Sequence, residues 1–192
     1  VGSDKCVLCH EEIAERYQSH SMAHTSAIVE QATTLEDYDN HTSFATPGRL
    51  HYRVERTEQG VFHHELMRDR DDAVLYDRAV PVHFVIGSGK RGRSYATNRD
   101  GLLFLSPMSW YSERSQWDLS PGYATVDGPR FERRLNDSCV QCHIGQVSHD
   151  PTDRDRFLAP VIIEGPLGCE RCHGPGEQHI AHHESDAPDT IV

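Results

Sequence analysis

The 192-residue chain is short of the usual material of a core: 36% of it is hydrophobic and 8% aromatic. No stretch approaches the roughly 18 consecutive apolar residues of a membrane-spanning helix, so no transmembrane segment is expected. Positive charge is scarce too. Nineteen Lys and Arg face 30 Asp and Glu, a formal net charge of −11. That argues against a nucleic-acid partner, whose phosphates need a basic surface. The chain lacks a nucleophile elbow and a metal-hydrolase motif. Gly87-Ser88-Gly89-Lys90-Arg91-Gly92 spells G-x-G-x-x-G, but a dinucleotide site needs a helix next, inside a βαβ unit. Arg93 to Thr97 reads as a strand, so a glycine-rich hairpin turn is the better reading. Finally, none of the six cysteines is left over.

All six fall in one pattern. Cys6-Val7-Leu8-Cys9-His10, Cys139-Val140-Gln141-Cys142-His143 and Cys169-Glu170-Arg171-Cys172-His173 each spell Cys-x-x-Cys-His, the attachment site of haem c. Two cysteines three apart share a helical turn, so both sulfurs reach the vinyl groups along one haem edge. The histidine that follows faces the iron as proximal ligand. Zinc half-sites or disulfides would not explain a histidine after every second cysteine. The expected cofactors are three covalently attached haems c, bound through Cys6, Cys9, Cys139, Cys142, Cys169 and Cys172, with His10, His143 and His173 on the irons. After the third motif, Gly174-Pro175-Gly176 breaks the chain direction, and Pro175 is placed to start a short helix carrying His179. His179 follows His173 too closely to cross to the other face of the same haem. As a ligand it would serve a neighbouring one.

Three haems would supply apolar faces for a lean chain to pack around. The expected class is therefore α+β and largely irregular: short helices organised by haem, with a small antiparallel β insert over residues 49–106. We read residues 1–192 as one domain, with the first haem in 1–48, the insert in 49–112, and the other two haems in 136–184. Haem c is attached outside the cytoplasm, so the expected location is periplasmic or extracellular, the chain being a mature form after signal removal. An acidic surface suits docking on redox protein partners with basic surfaces.

Residues 4–24 read as a helix capped by Ser3 or Asp4. Leu50, Tyr52 and Val54 alternate with polar residues, the mark of a half-buried strand. Val61–Met67, Ala73–Ala79, Pro81–Ile86 and Leu102–Ser106 read as further strands. His51, His63 and His64 are expected on the solvent side. Lys90, Arg91, Arg93 and Arg99 could pair with haem propionates or lie in a solvated turn. His83 sits in the apolar run Val80–Ile86, where a buried histidine needs a partner. It is a candidate distal ligand. Residues 107–135, with Trp110 and Trp117, read as an extended segment. Residues 151–168 read as a polar loop followed by the apolar Ala159–Ile163.

His10-Glu11-Glu12-Ile13, with Tyr17 seven positions after the haem histidine, and the ending Cys-x-x-Cys-His-Gly-Pro-Gly-x-x-His, resemble multihaem cytochromes related to the tetrahaem electron acceptor of ammonia oxidisers. The segment from His83 to Trp117 also resembles haem-bearing modules that precede helical repeats. The first resemblance implies that His179 is an axial ligand. It also implies an axial ligand twelve residues after His10, where this chain has Met22 instead of histidine. Met22 would give a His/Met haem of raised potential; otherwise His20 or His24 takes over, or the site stays open. The expected function is electron transfer between closely spaced haems, with an enzymatic role left open. The alternatives are an oxidoreductase acting on a small nitrogen or sulfur compound at an open iron, or a subunit of an extracellular cytochrome filament. Self-association of that kind would draw on the surplus histidines, such as His182 and His183.

Overall fold

A computed structural model describes residues 1–46, 50–123 and 128–185. Residue 49, where the expected insert began, lies outside them. Of the described residues, 40% are in strands and 22% in helices, and the strands form three antiparallel sheets. This overturns the expected irregular, haem-organised helical fold with a small insert.

Strands β1 (Ser26–Ile28) and β2 (Ser43–Ala45) come first. They are followed by β3 (Leu50–Thr57), β4 (Gly60–Arg68), β5 (Val74–Val82) and β6 (Phe84–Ile86). Then come β7 (Gly92–Arg99), β8 (Leu102–Tyr111), β9 (Gln116–Leu119) and β10 (Arg133–Leu135). One sheet runs β2-β3-β4-β5. The other runs β1-β6-β7-β8-β10, with β9 also on β8. The glycine run at 87–92 joins the antiparallel pair β6 and β7, which is the hairpin reading and leaves no βαβ unit there.

The two sheets pack face to face. Tyr52, Val54, Val61, Val80 and Val82 of one meet Val85, Tyr95, Met108, Trp110 and Trp117 of the other. Alternation then sends Phe84, Ala96, Leu103 and Leu105 to the far side of the second sheet. A third layer covers that side. It consists of α3 (Asp137–His143), through Val140 and the following Ile144, and the hairpin of β11 (Gln146–His149) and β12 (Phe157–Glu164), through Phe157, Val161 and Ile162. The expected extended segment at 107–135 thus holds the end of β8, then β9 and β10, and the expected loop at 151–168 holds β12.

The lean composition misled because it is an average. The apolar residues are concentrated on the inner faces, and polar residues enter the core in pairs. Glu36 accepts from Arg93 at 3.1 Å and from the Tyr95 hydroxyl at 2.6 Å. Glu65 takes both arms of Arg130. His63 and His64 are corrections as well. His63 lies opposite Val54 in register, shares its inward face, and is 0% exposed. His64 points the other way but is buried between Asp77 and Glu55, at 2.8 and 3.0 Å. Arg93 serves neither a propionate nor a solvated turn, because Glu36 holds it in the interior.

Candidate functional site

The two ends of the chain meet beside the sandwich. The expected helix 4–24 is three pieces: α1 (Ser3–Val7), α2 (Glu11–Gln18) and a 3-10 turn at Ser21–His24. The break falls at Cys9 and His10, inside the first motif. Ser3 does not cap α1, because its hydroxyl accepts instead from the Cys169 N–H at 3.0 Å. The third motif forms α4 (Glu170–His173). Gly174, at φ +83°, then turns the chain into α5 (Glu177–Glu184), which carries His179. That left-handed φ costs glycine little and other residues more.

Hydrogen bonds spanning most of the sequence join these ends. The Tyr17 hydroxyl donates to the Leu167 carbonyl at 2.5 Å, and the Leu167 N–H donates to Thr25 Oγ1 at 3.0 Å. The Ser3 N–H reaches Glu164 at 3.2 Å. The Glu170 carboxylate accepts from Gly2 N–H at 2.7 Å and Gly176 N–H at 2.6 Å, with the Val1 nitrogen 3.1 Å from each oxygen. Those bonds, that from Gly176 first, hold its pKa below the usual carboxylate range. A Cβ on Gly168 would meet the Glu164 carboxylate and the Ser3 hydroxyl, so those side chains would have to give way to any larger residue.

Between the ends lies a cavity of about 750 Å³, mostly apolar, within the roughly 300–1,000 Å³ of ordinary small-molecule and cofactor sites. Cys6, Cys9 and His10 of the first motif and Cys169, Cys172 and His173 of the third all line it. Met22, Tyr17, His179 and His183 complete the wall. The His10 and His179 rings stand 6.2 Å apart, centre to centre, with planes inclined by 21°. His183, one turn after His179, sets its ring edge-on to that of His179 at 4.8 Å. Burial, and then the Cys169 thiol beside it, raise the pKa of Cys6.

The second motif is elsewhere. Asn136 caps α3 through the Cys139 N–H at 3.3 Å, and Val140 anchors the helix on the sheet. Cys139, Cys142 and His143 face outward, and none lines the cavity. Arg171 of the third motif hydrogen-bonds the Gln141 carbonyl of the second.

Met22 is in the cavity wall, while His20 and His24 are not. His20 Nδ1 accepts from the Met22 N–H at 3.3 Å, and His24 Nε2 lies 2.7 Å from the Gln18 carbonyl. His83, between β5 and β6, is half-buried and outside the cavity. Its Nδ1 accepts from the Asn98 N–H at 3.1 Å, and burial lowers its pKa. A ligating histidine usually donates from its second nitrogen. Ser3 and Glu170 were not foreseen, because contacts across more than 160 residues leave no local pattern.

The cavity can be tested against the group the motifs imply. Among the described residues, no three or more His, Cys, Asp or Glu side chains are arranged to hold a bare metal ion. An iron inside a porphyrin asks for one or two protein ligands, with thiols at the ring edge and apolar walls. The cavity offers these. A family described as "Cytochrome c554 and c-prime" matches residues 120–174, which contain the second and third motifs. The match supports a c-type cytochrome with covalently bound haem. It suggests electron transfer as the function. No curated protein and no solved structure matches the chain. No helix among the described residues is long and apolar enough to cross a membrane.

Proposed function

We propose that the chain is a trihaem electron carrier, one haem on each Cys-x-x-Cys-His motif, with His10, His143 and His173 as proximal ligands. Bound haem supplies an iron that gains and releases one electron. The observation that carries the reading is the pair His10 and His179 across the shared cavity. If the nitrogen–metal bonds were like zinc–histidine bonds, about 2.0–2.1 Å long, two imidazoles holding one iron between them would stand roughly 6 Å apart, centre to centre. The observed 6.2 Å agrees. In this reading His179 would be the distal ligand for the first motif's iron. Met22, which lines the same cavity as His173, would be the distal ligand for the third. Two irons held by motifs this close together would exchange electrons readily. The apolar walls would keep water from both, and a thioether would set one potential above the other.

His83, the remaining distal candidate, would serve the second motif only if its ring turned to free a nitrogen from Asn98. The proposed setting is periplasmic or extracellular, where haem c is attached. The net charge of −11 favours redox partners with basic docking surfaces.

Haem quantitation and low-temperature electron paramagnetic resonance of the oxidised protein test this. Three haems per chain and three low-spin signals are expected, one of them of His/Met type. Fewer than three haems would end the trihaem reading. A high-spin signal worth one haem would mean an open iron, and with it the oxidoreductase reading.

A further inference from the structure

The first and third motifs reach one cavity from opposite ends of the sequence, so something must fix α1 and α5 relative to each other. Neither helix supplies its own cap. Gly2 and Gly176 occupy the two cap positions, and neither cap makes a side-chain hydrogen bond. Both N–H groups instead meet one carboxylate, that of Glu170. Gly2 sits 2.7 Å from Oε2 and Gly176 2.6 Å from Oε1. Charge-assisted bonds of this kind are shorter and stronger than neutral ones. Glu170 lies in the third motif, between Cys169 and Cys172. The same residue is therefore tied to three of the pieces of chain that wall the cavity.

We propose that Glu170 is a positioning residue which holds His179 opposite His10, a role resting on the reading that those two histidines share one iron. His10 follows α1 by three residues, and His179 is the third residue of α5. Releasing either helix start would move one imidazole relative to the other. The role requires a carboxylate, because glutamine has one oxygen to accept with and its amide nitrogen would face an N–H.

The test uses the haem-loaded protein and three variants: Glu170→Gln, Glu170→Ala and His179→Ala. The readouts are ferric spin state and cyanide binding, with haem content measured alongside. His179→Ala is expected to convert one haem per chain from low spin to high spin and open it to cyanide. Glu170→Ala is expected to convert most of the same haem, and Glu170→Gln a smaller fraction, with haem content unchanged. The glutamine variant keeps the side chain's size, so the test stays readable where the alanine variant does not accumulate. If His179→Ala leaves every haem low-spin, the shared-iron reading fails and the proposal falls with it. If His179→Ala opens a haem while both Glu170 variants keep three low-spin haems, even at reduced stability, the shared-iron reading stands and the positioning role alone is overturned.

Discussion

Between the two sheets, Tyr95, Phe131 and Met108 are 0% exposed, whereas Ile13, in the cavity wall, is 65% exposed. The sandwich closes on itself, filling its interior with aromatic and paired polar side chains. The chain ends form a shell with an open apolar lining, joined by hydrogen bonds between residues far apart in sequence. One region is complete in its own atoms; the other is shaped for something else to complete it. The lean composition is shared between a dense part and a hollow part, and this is why an average over the chain described neither.

If that contrast is right, the largest effects on stability come from the interior of the sandwich and leave the haems untouched. Arg93 and Glu36 are both buried, at 8% and 3% side-chain exposure. Breaking a buried pair by removing one partner costs about 3–5 kcal/mol, because the remaining charge is left without its counter-ion. Arg93→Met keeps much of the stem and removes the guanidinium. Denaturant unfolding should show a loss near the lower end of that range, since Tyr95 and the Leu35 N–H still serve Glu36. The haem spectrum of the folded protein should not change. A change in spin state would mean that the regions are not independent.

His63 offers a smaller and pH-dependent effect. Burial first, and then neighbouring His64, push its pKa down to about 3, against about 6.5 in an unfolded chain. Between those values the unfolded state binds the proton and the folded state does not. The stability this contributes is complete above about pH 6.5 and is lost progressively as pH falls toward 3, with a slope of at most about 1.4 kcal/mol per pH unit. In His63→Leu that part of the acid slope should vanish from unfolding curves measured between pH 6.5 and 4. The variant is also less stable at neutral pH, because Ser106 loses its 2.7 Å partner. An unchanged slope would show that His63 does not govern acid sensitivity.

The two regions also differ in how far the sequence disclosed them. The three Cys-x-x-Cys-His patterns stand out in the sequence because each is a contiguous run at fixed spacing, as a covalent attachment site demands. The α4–α5 break was legible at Gly174-Pro175-Gly176. Strands β3 to β8 were legible from alternation and turns, although β8 runs on to Tyr111, well past the expected Ser106. Strands β1, β2, β9 and β10 are three or four residues long, too short for a period to show. His63 and His64 could not both face solvent, since neighbours on a strand point opposite ways. Only the pairing with Val54 decides which turns in. Glu170 was the least legible, because a variable position inside a motif carries no mark of a partner 168 residues away.

The smallest expected effect is the most pointed test of the comparison. Tyr17→Phe removes one hydroxyl that donates to the Leu167 carbonyl at the seam between the chain ends. Leu167 keeps its other bond, from its N–H to Thr25. The cost should be about 1 kcal/mol, the net value of a typical hydrogen bond. Amide hydrogen exchange can locate it, because protection reports local opening as well as global unfolding. Amides of α2, α4 and α5 should exchange about fivefold faster, as about 1 kcal/mol implies, while those of β7 and β8 keep their rates. If β7 and β8 accelerate by the same factor, shell and sandwich open together as one cooperative unit. The division between a self-sufficient core and a shell awaiting its contents would then describe shape but not energetics.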